Sequence, residues 1–314
     1  MSETRQTDVR IGLIGGSGLG AALAGQTVGT RHDLDTPFGK PSDVILETTW
    51  AGLPVFFLSR HGPGHVLNPT QIPYRANLFA LKQLGVTHIL ASGAVGSLRE
   101  EFKPRDLVIP DQIIDKTHRR IGTFYDHAAV HVEFAEPFCP VLRQMLIDTA
   151  ASSGAAHDVH TQGCYVCMEG PAFGTRAESL MHRVWGGDLI GMTAMPEAKL
   201  AREAEMAYAL VALVTDYDCW RRAMTPAPDQ PGNTPAPLAH DPAVLLKEII
   251  GNLDAATGHA IDLMRRTVQR LADHRDTLQT SPALHALQLA IWSDKKRIPT
   301  DQVARLATLW GRYF

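Results

Sequence analysis

Three times in its first hundred residues the chain runs a strand-like apolar segment straight into glycines. Residues 10–14 open into Gly15-Gly16-Ser17-Gly18, residues 55–58 into Ser59-Arg60-His61-Gly62-Pro63-Gly64, and residues 88–92 into Gly93-Ala94-Val95-Gly96. Segments that are apolar throughout suit strands covered on both faces, and glycine at a strand end lets a ligand approach the backbone closely. Open α/β sheets bind small ligands at that end of their strands, so the repeated junction constrains both the architecture and the place of a site. Further strand-like runs lie at 44–49, 107–109, 189–193 and 208–214, and helix-length stretches at 69–84, 139–152, 172–184 and 196–205. The alternation predicts an α/β sandwich without internal repeats.

Composition narrows the function classes. With 20% charged residues and a formal net charge of -3, the chain has no basic surplus for nucleic-acid phosphates or an anionic membrane. No apolar run reaches the roughly 18 residues of a membrane-spanning helix, and residues 1–10 lack a signal-peptide core. Four cysteines are too few for a disulfide scaffold in a chain of 314 residues. A cytoplasmic protein acting on a small molecule is the expectation. Residues 221–242 carry six prolines, which excludes a helix or central strand and predicts a long loop, either a surface insertion or a flap over a site. Beyond it, Leu246, Ile249, Ile250 and Leu253 share a helical face, as do Ile261, Met264, Val268 and Leu271, so residues 243–314 read as a helical region.

The junctions offer specific chemistry. Backbone N–H groups after residue 14, with the Ser17 hydroxyl, can cradle an anion. Gly16, Gly18 and Ala21 also fit a loose dinucleotide fingerprint, with Asp33 or Asp35 near the place of a ribose-binding acid. Gly25 and Gly29 make residues 21–30 a poor crossover helix, which counts against an NAD-dependent oxidoreductase. Arg60 and His61 together can grip a small oxyanion through several donors. A metal on His61 and His65 would lack an acidic or cysteine ligand nearby. Asp216 and Asp218 end a strand with side chains on one face; such a pair can bind a metal, share a proton or grip a donor-rich heterocycle, and a capped turn is the plainer alternative. Cys164 and Cys167 form a CxxC without a second pair and read as buried thiols.

Together these blocks resemble the trimeric purine nucleoside phosphorylase superfamily, in its methylthioadenosine phosphorylase branch, from about residue 9 to Trp220. The similarity also covers Asp35-Thr36-Pro37-Phe38-Gly39-Lys40-Pro41-Ser42, Tyr74-Arg75-Ala76-Asn77, Glu136-Pro137-Phe138-Cys139-Pro140, Glu169-Gly170-Pro171-Ala172-Phe173, Arg176-Ala177-Glu178-Ser179 and Met192-Thr193. The resemblance implies a single nucleoside phosphorylase domain over residues 1–314, an α/β/α sandwich with a central mixed sheet, a loop insertion at 221–242 and C-terminal helices. It implies a pentosyltransferase of purine and methionine salvage: reversible phosphorolysis of 5′-methylthioadenosine to adenine and 5-methylthioribose 1-phosphate. Phosphate is then a co-substrate, with no cofactor and no metal, and the assembly a homotrimer, alone or as a dimer of trimers.

By the same resemblance Ser17, Arg60, His61, the Ala94 backbone and Thr193 bind phosphate, and Met192 packs by the sugar. Asp216 serves purine N7, Asp218 completes recognition at the 6-amino side, and Phe173 stacks on the base. His131 reaches the 5′ end of a neighbouring subunit's nucleoside. Aspartate at 216, where phosphorylases of 6-oxopurines carry asparagine, favours adenine. Gly93 and Gly174 depart from the family's usual threonine and serine, each losing a hydrogen bond of about 0.5–1.5 kcal/mol. A broader purine nucleoside phosphorylase or a methylthioinosine phosphorylase is the alternative.

Overall fold

A computed structural model describes residues 8–16, 29–152, 158–221 and 242–314. In chain order its elements are β1 (Ile11–Gly15), β2 (Thr30–His32), β3 (Ile45–Trp50), β4 (Leu53–Ser59), α1 (Tyr74–Gln83), β5 (His88–Ser97), β6 (Leu107–Val108), β7 (Gln112–Lys116) and α2 (Pro140–Ser152). There follow β8 (Val159–His160), β9 (Cys164–Met168), α3 (Arg176–Val184), β10 (Leu189–Gly191), α4 (Ala194–Glu203), β11 (Ala207–Tyr217) and α5 (Pro242–Asp273), then short helical turns to the C-terminus.

The strands join in one sheet ordered β2-β3-β4-β1-β5-β10-β9-β7, with β11 on β5 and β6, and β6 on β8. It is mixed: β1 runs parallel to β4 and β5, and β11 parallel to β5, whereas β3–β4, β5–β10 and β6–β11 are antiparallel. The sheet forks at β5. Its first residues pair with β1, its last with β10, and β11 follows it throughout. This strand outruns the expected 88–92, because Gly93 and Gly96 are strand positions where β5 changes partners, a place that favours glycine.

Alternating strand residues build two cores. Leu13, Phe57, Leu90 and Val211 pack on one face under α2 and α5, while Ile14, Phe56, Ile89 and Leu210 pack on the other under α1 and α4. The result is helix, sheet, helix. Each fully buried aliphatic side chain contributes roughly 1.5–3 kcal/mol. β1 is buried at every position and β11 from Ala207 to Thr215, so the strand ends that carry the glycines and carboxylates are rooted in the best-packed part of the molecule.

Local chemistry moves some boundaries. Helix α1 starts at Tyr74, since Pro73 sits at φ -78, ψ 65 outside the helical region. Helix α3 starts at Arg176: the Thr175 hydroxyl accepts the Glu178 N–H and Glu178 accepts the Thr175 N–H in return, a capping box. Both apolar faces expected beyond residue 243 lie on the single 32-residue helix α5. Cys164 and Cys167 stand three apart on β9, on opposite faces, and burial pushes their thiols up to about 11 and 12, so neither is a reactive thiolate. The proline-rich stretch lies outside the described residues, apart from its ends.

Candidate active site

The C-terminal ends of β1, β4, β5 and β11 converge on a cavity of about 320 Å³, whose lining includes Gly16, Arg60, His61, Ala94, Phe173, Met192, Thr193, Asp216 and Asp218. Eight of the ten residues expected to form the site are thus gathered in one place; Ser17 lies outside the described residues, and His131 lies elsewhere on the surface.

At one end stands Arg60, fully buried. Its Nε and Nη2 donate to the two oxygens of Glu197 at 2.7 and 2.8 Å, and Nη1 donates to the Ser92 carbonyl at 2.7 Å. A guanidinium has five N–H donors, so three are already committed and two remain for a ligand. Of the several donors expected at Arg60, most are therefore already used within the protein. Burial alone would lower the Arg60 pKa, but the Glu197 carboxylate outweighs it and holds the charge firmly in place. Tyr208 donates to Glu197 Oε1 at 2.8 Å and fixes the acid in turn. Gly16 makes room for this pair: a Cβ there would lie 3.0 Å from Arg60 Nη1.

His61 differs from its expected donor role. Its Nδ1 lies 2.8 Å from the Leu67 carbonyl, which can only accept, so Nδ1 carries the hydrogen. Burial, and then the Arg60 charge, push its pKa down to about 4. Near neutral pH the ring is neutral and Nε2 offers a lone pair, suited to accept from a protonated phosphate oxygen rather than to donate. His65 stacks on it at 4.0 Å. At the same end, a Cβ on Gly93 would meet the Thr193 hydroxyl at 3.3 Å, so the glycine that departs from the family pattern leaves that hydroxyl uncrowded.

Met192, on the cavity wall, is held from outside the lining by Arg120, which the sequence reading missed. Its guanidinium donates to the carbonyls of Met192 and Met195, both at 2.6 Å, and to Glu169 through Nε at 3.2 Å. Burial would raise the Glu169 pKa, but the His118 N–H, the Thr70 hydroxyl, the Arg119 N–H and the Arg120 charge together pull it down to about 2. Met192 is thereby tied from behind. Glu197, Glu169 and Arg120 carry no local signal; only Glu169 falls within a matching block.

At the other end β11 is bulged between Val214 and Asp216, so Asp216 rather than Thr215 pairs with Gly96. A bulge re-aims the following side chain. A Cβ on Gly96 would lie 3.4 Å from Asp218 Cβ and 3.7 Å from Asp216 Oδ2, so both carboxylate residues border the same glycine. The Thr215 hydroxyl donates to Asp216 Oδ1 at 2.7 Å, while Asp218 Oδ2 is buried without a partner among the described residues. Apolar walls complete the cavity: Met168 and Ile190 on the sheet, Ile249 and Leu253 from α5. Phe173 is 82% exposed at the mouth, positioned to cover a ligand. No cluster of three or more His, Cys, Asp or Glu suited to a metal occurs among the described residues.

A family model described as the phosphorylase superfamily matches residues 10–250. The S-methyl-5′-thioadenosine phosphorylases of Thermosynechococcus vestitus and Synechocystis are 45% and 46% identical, each over 97% of this chain and over 99% and 87% of their own lengths. A solved methylthioadenosine phosphorylase from an antarctic soil metagenomic library has a TM-score of 0.79 at 41% identity, covering 96% of this chain and 99% of that one. A variant adenosine/methylthioadenosine phosphorylase from Schistosoma mansoni, in complex with methylthioadenosine, has a TM-score of 0.78 at 32% identity, covering 91% and 99%. The chain therefore belongs to the phosphorylase superfamily, in its S-methyl-5′-thioadenosine phosphorylase family.

Proposed function

We propose that the chain catalyses reversible phosphorolysis of 5′-methylthioadenosine. A phosphate oxygen attacks C1′ of the ribose as the C1′–N9 bond breaks, giving 5-methylthioribose 1-phosphate and adenine. The observation that carries the reading is one cavity with a buried guanidinium at one end and two carboxylates at the other. Such a site separates a bound dianion from a leaving base, with the oxocarbenium-like carbon between them, where fixed charge stabilises the transition state most.

In this reading the two uncommitted N–H groups of Arg60, the Ala94 N–H, the Thr193 hydroxyl and Ser17 hold phosphate, and neutral His61 accepts a hydrogen bond from its protonated oxygen. Met192 packs by the sugar, Phe173 stacks on the base, Asp216 supplies the proton or hydrogen bond at N7, and Asp218 faces the 6-amino side. The apolar wall of Ile249 and Leu253 suits a methylthio group better than a hydroxyl.

His131 belongs to a neighbour's site in this reading. It lines no part of its own cavity, meets the Trp292 ring at a tilt with centroids 4.6 Å apart, and lies beside Leu289 and Trp292, which are 88% and 71% exposed. An exposed apolar patch next to a histidine supports an interface between copies; in this reading the assembly is a homotrimer and its place the cytoplasm. Incubation with 5′-methylthioadenosine should release adenine only when phosphate is present. Release of hypoxanthine from inosine, with no turnover of 6-amino nucleosides, would overturn the adenine assignment.

A further inference from the structure

Helix α3 lies near the surface, yet its buried face is not apolar. Its two buried side chains are Ser179 and His182, three residues apart and so on one face. Ser179 Oγ and His182 Nδ1 are both shielded from solvent without a partner among the described residues, as is Asp218 Oδ2. Interiors leave few polar atoms in that state, and each carries a desolvation cost.

The helix and the segment holding Asp218 are clasped at two points. Cys219 Sγ reaches the Gly174 carbonyl, just before α3, at 3.8 Å. Near the other end of the helix the Arg183 guanidinium lies 3.6 Å over the Trp220 ring while Nη1 donates to the Leu98 carbonyl. Ser179 and His182 fall between these contacts. The charges that face His182 are Glu178 on its own helix, Lys116 on β7 and Asp218 after β11; burial and Lys116 lower its pKa, and the two acids oppose them. Trp185 lies against the same ring at 6.0 Å.

We propose that His182, with Ser179, positions Asp218 for the leaving base: the imidazole donates its Nδ1–H to one buried water, which also binds the Ser179 hydroxyl and donates to Asp218 Oδ2, and so turns the other carboxylate oxygen toward the amino edge of the purine. The inference rests on the adenine-releasing reading of the site. The chemistry is complementary, since a carboxylate only accepts while an imidazole N–H and a hydroxyl donate, and a buried water uses about three partners. His182 touches no substrate. It is a positioning residue that biases the site toward 6-amino over 6-oxo purines.

The test compares wild type, His182→Phe and His182→Gln with methylthioadenosine and methylthioinosine as substrates. Phenylalanine removes the donor but keeps a ring of similar volume, so the Tm falls by a few degrees at most. The KM for methylthioadenosine rises about tenfold and that for methylthioinosine less, with the KM for phosphate unchanged, as expected for one lost hydrogen bond to a charged group. Glutamine, which retains an N–H donor, restores part of the selectivity, and Ser179→Ala moves it in the same direction as phenylalanine. Wild-type selectivity in both His182→Phe and Ser179→Ala overturns this inference alone. A fall for both nucleosides that tracks a lower Tm also overturns it, leaving His182 a packing role. A wild-type enzyme that releases no adenine overturns the reading beneath it as well.

Discussion

The guanidinium of Arg60 shows how much of the site is settled before any ligand arrives. Three of its donors are spent on Glu197 and Ser92, and the carboxylate that holds it is fully buried and itself held by Tyr208. Removing one partner of a buried ion pair costs about 3–5 kcal/mol, because the other charge is left uncompensated. Glu197→Gln keeps the volume but removes the charge and one acceptor. It is expected to lower the Tm and to raise the KM for phosphate by roughly tenfold or more, with a smaller effect on the nucleoside. Two-substrate kinetics and a thermal melt check both, and an unchanged phosphate KM would mean that Arg60 needs no buttress. Arg60, His61, Asp216 and Asp218 were legible because each stands at the end of an apolar strand next to small residues. Glu197 and Arg120 were not: Glu197 meets Arg60 across 137 residues and Arg120 meets Glu169 and Met195 across 49 and 75, and no local pattern encodes such a distance. The tautomer of His61 was equally hidden, since it depends on a carbonyl six residues on that folds back to meet the ring.

Among the elements, β5 and β11 do most to shape the cavity, and they were read with unequal success. β11 announces itself by nine consecutive buried residues, Ala207 to Thr215. β5 was cut short because glycine weakens a strand signal, although here Gly93 and Gly96 let the strand change partners and face the ligand. β7 and β9 were missed altogether: β7 is the edge of the sheet, half exposed and without clean alternation, and β9 has only five residues. The bulge in β11 also left no trace in the sequence, yet it sets both carboxylates beside Gly96. Gly96→Ala tests that arrangement. The added methyl would lie 3.2 Å from Ile190 Cγ2, tight enough that this side chain must give, and would abut Asp218 Cβ at 3.4 Å. Overpacking of this kind costs typically about 1–3 kcal/mol. The expected result is a several-fold higher KM for the nucleoside with the phosphate KM unchanged, measured at saturating co-substrate. Equal loss at both ends would place Gly96 in the general packing of the sheet instead.

For the whole molecule the decisive question is which chain completes which cavity. His131 is anchored by its own backbone, its N–H donating to the Ala290 carbonyl at 2.9 Å while Trp292 donates back to Ala129 at 3.0 Å, so the loop that carries it is fixed away from the cavity of its own chain. If it serves a neighbour, the functional unit spans two chains, and a defect in one residue can be complemented by a second chain defective elsewhere. His131→Ala and Asp216→Asn should each impair turnover of 5′-methylthioadenosine as pure proteins. In a co-expressed mixture, a cavity is intact when its own chain keeps Asp216 and the chain lending the histidine keeps His131. With random assembly at equal expression, that holds for about a quarter of cavities in a closed ring of like subunits. Activity should therefore recover to about a quarter of wild type, in a species near three times the chain mass by sedimentation. If His131 instead completed its own chain's cavity, every cavity in the mixture would lack one of the two residues and no recovery would occur. The mixing experiment separates these geometries without a ligand-bound structure, because the arithmetic of intact cavities depends only on whose histidine is used.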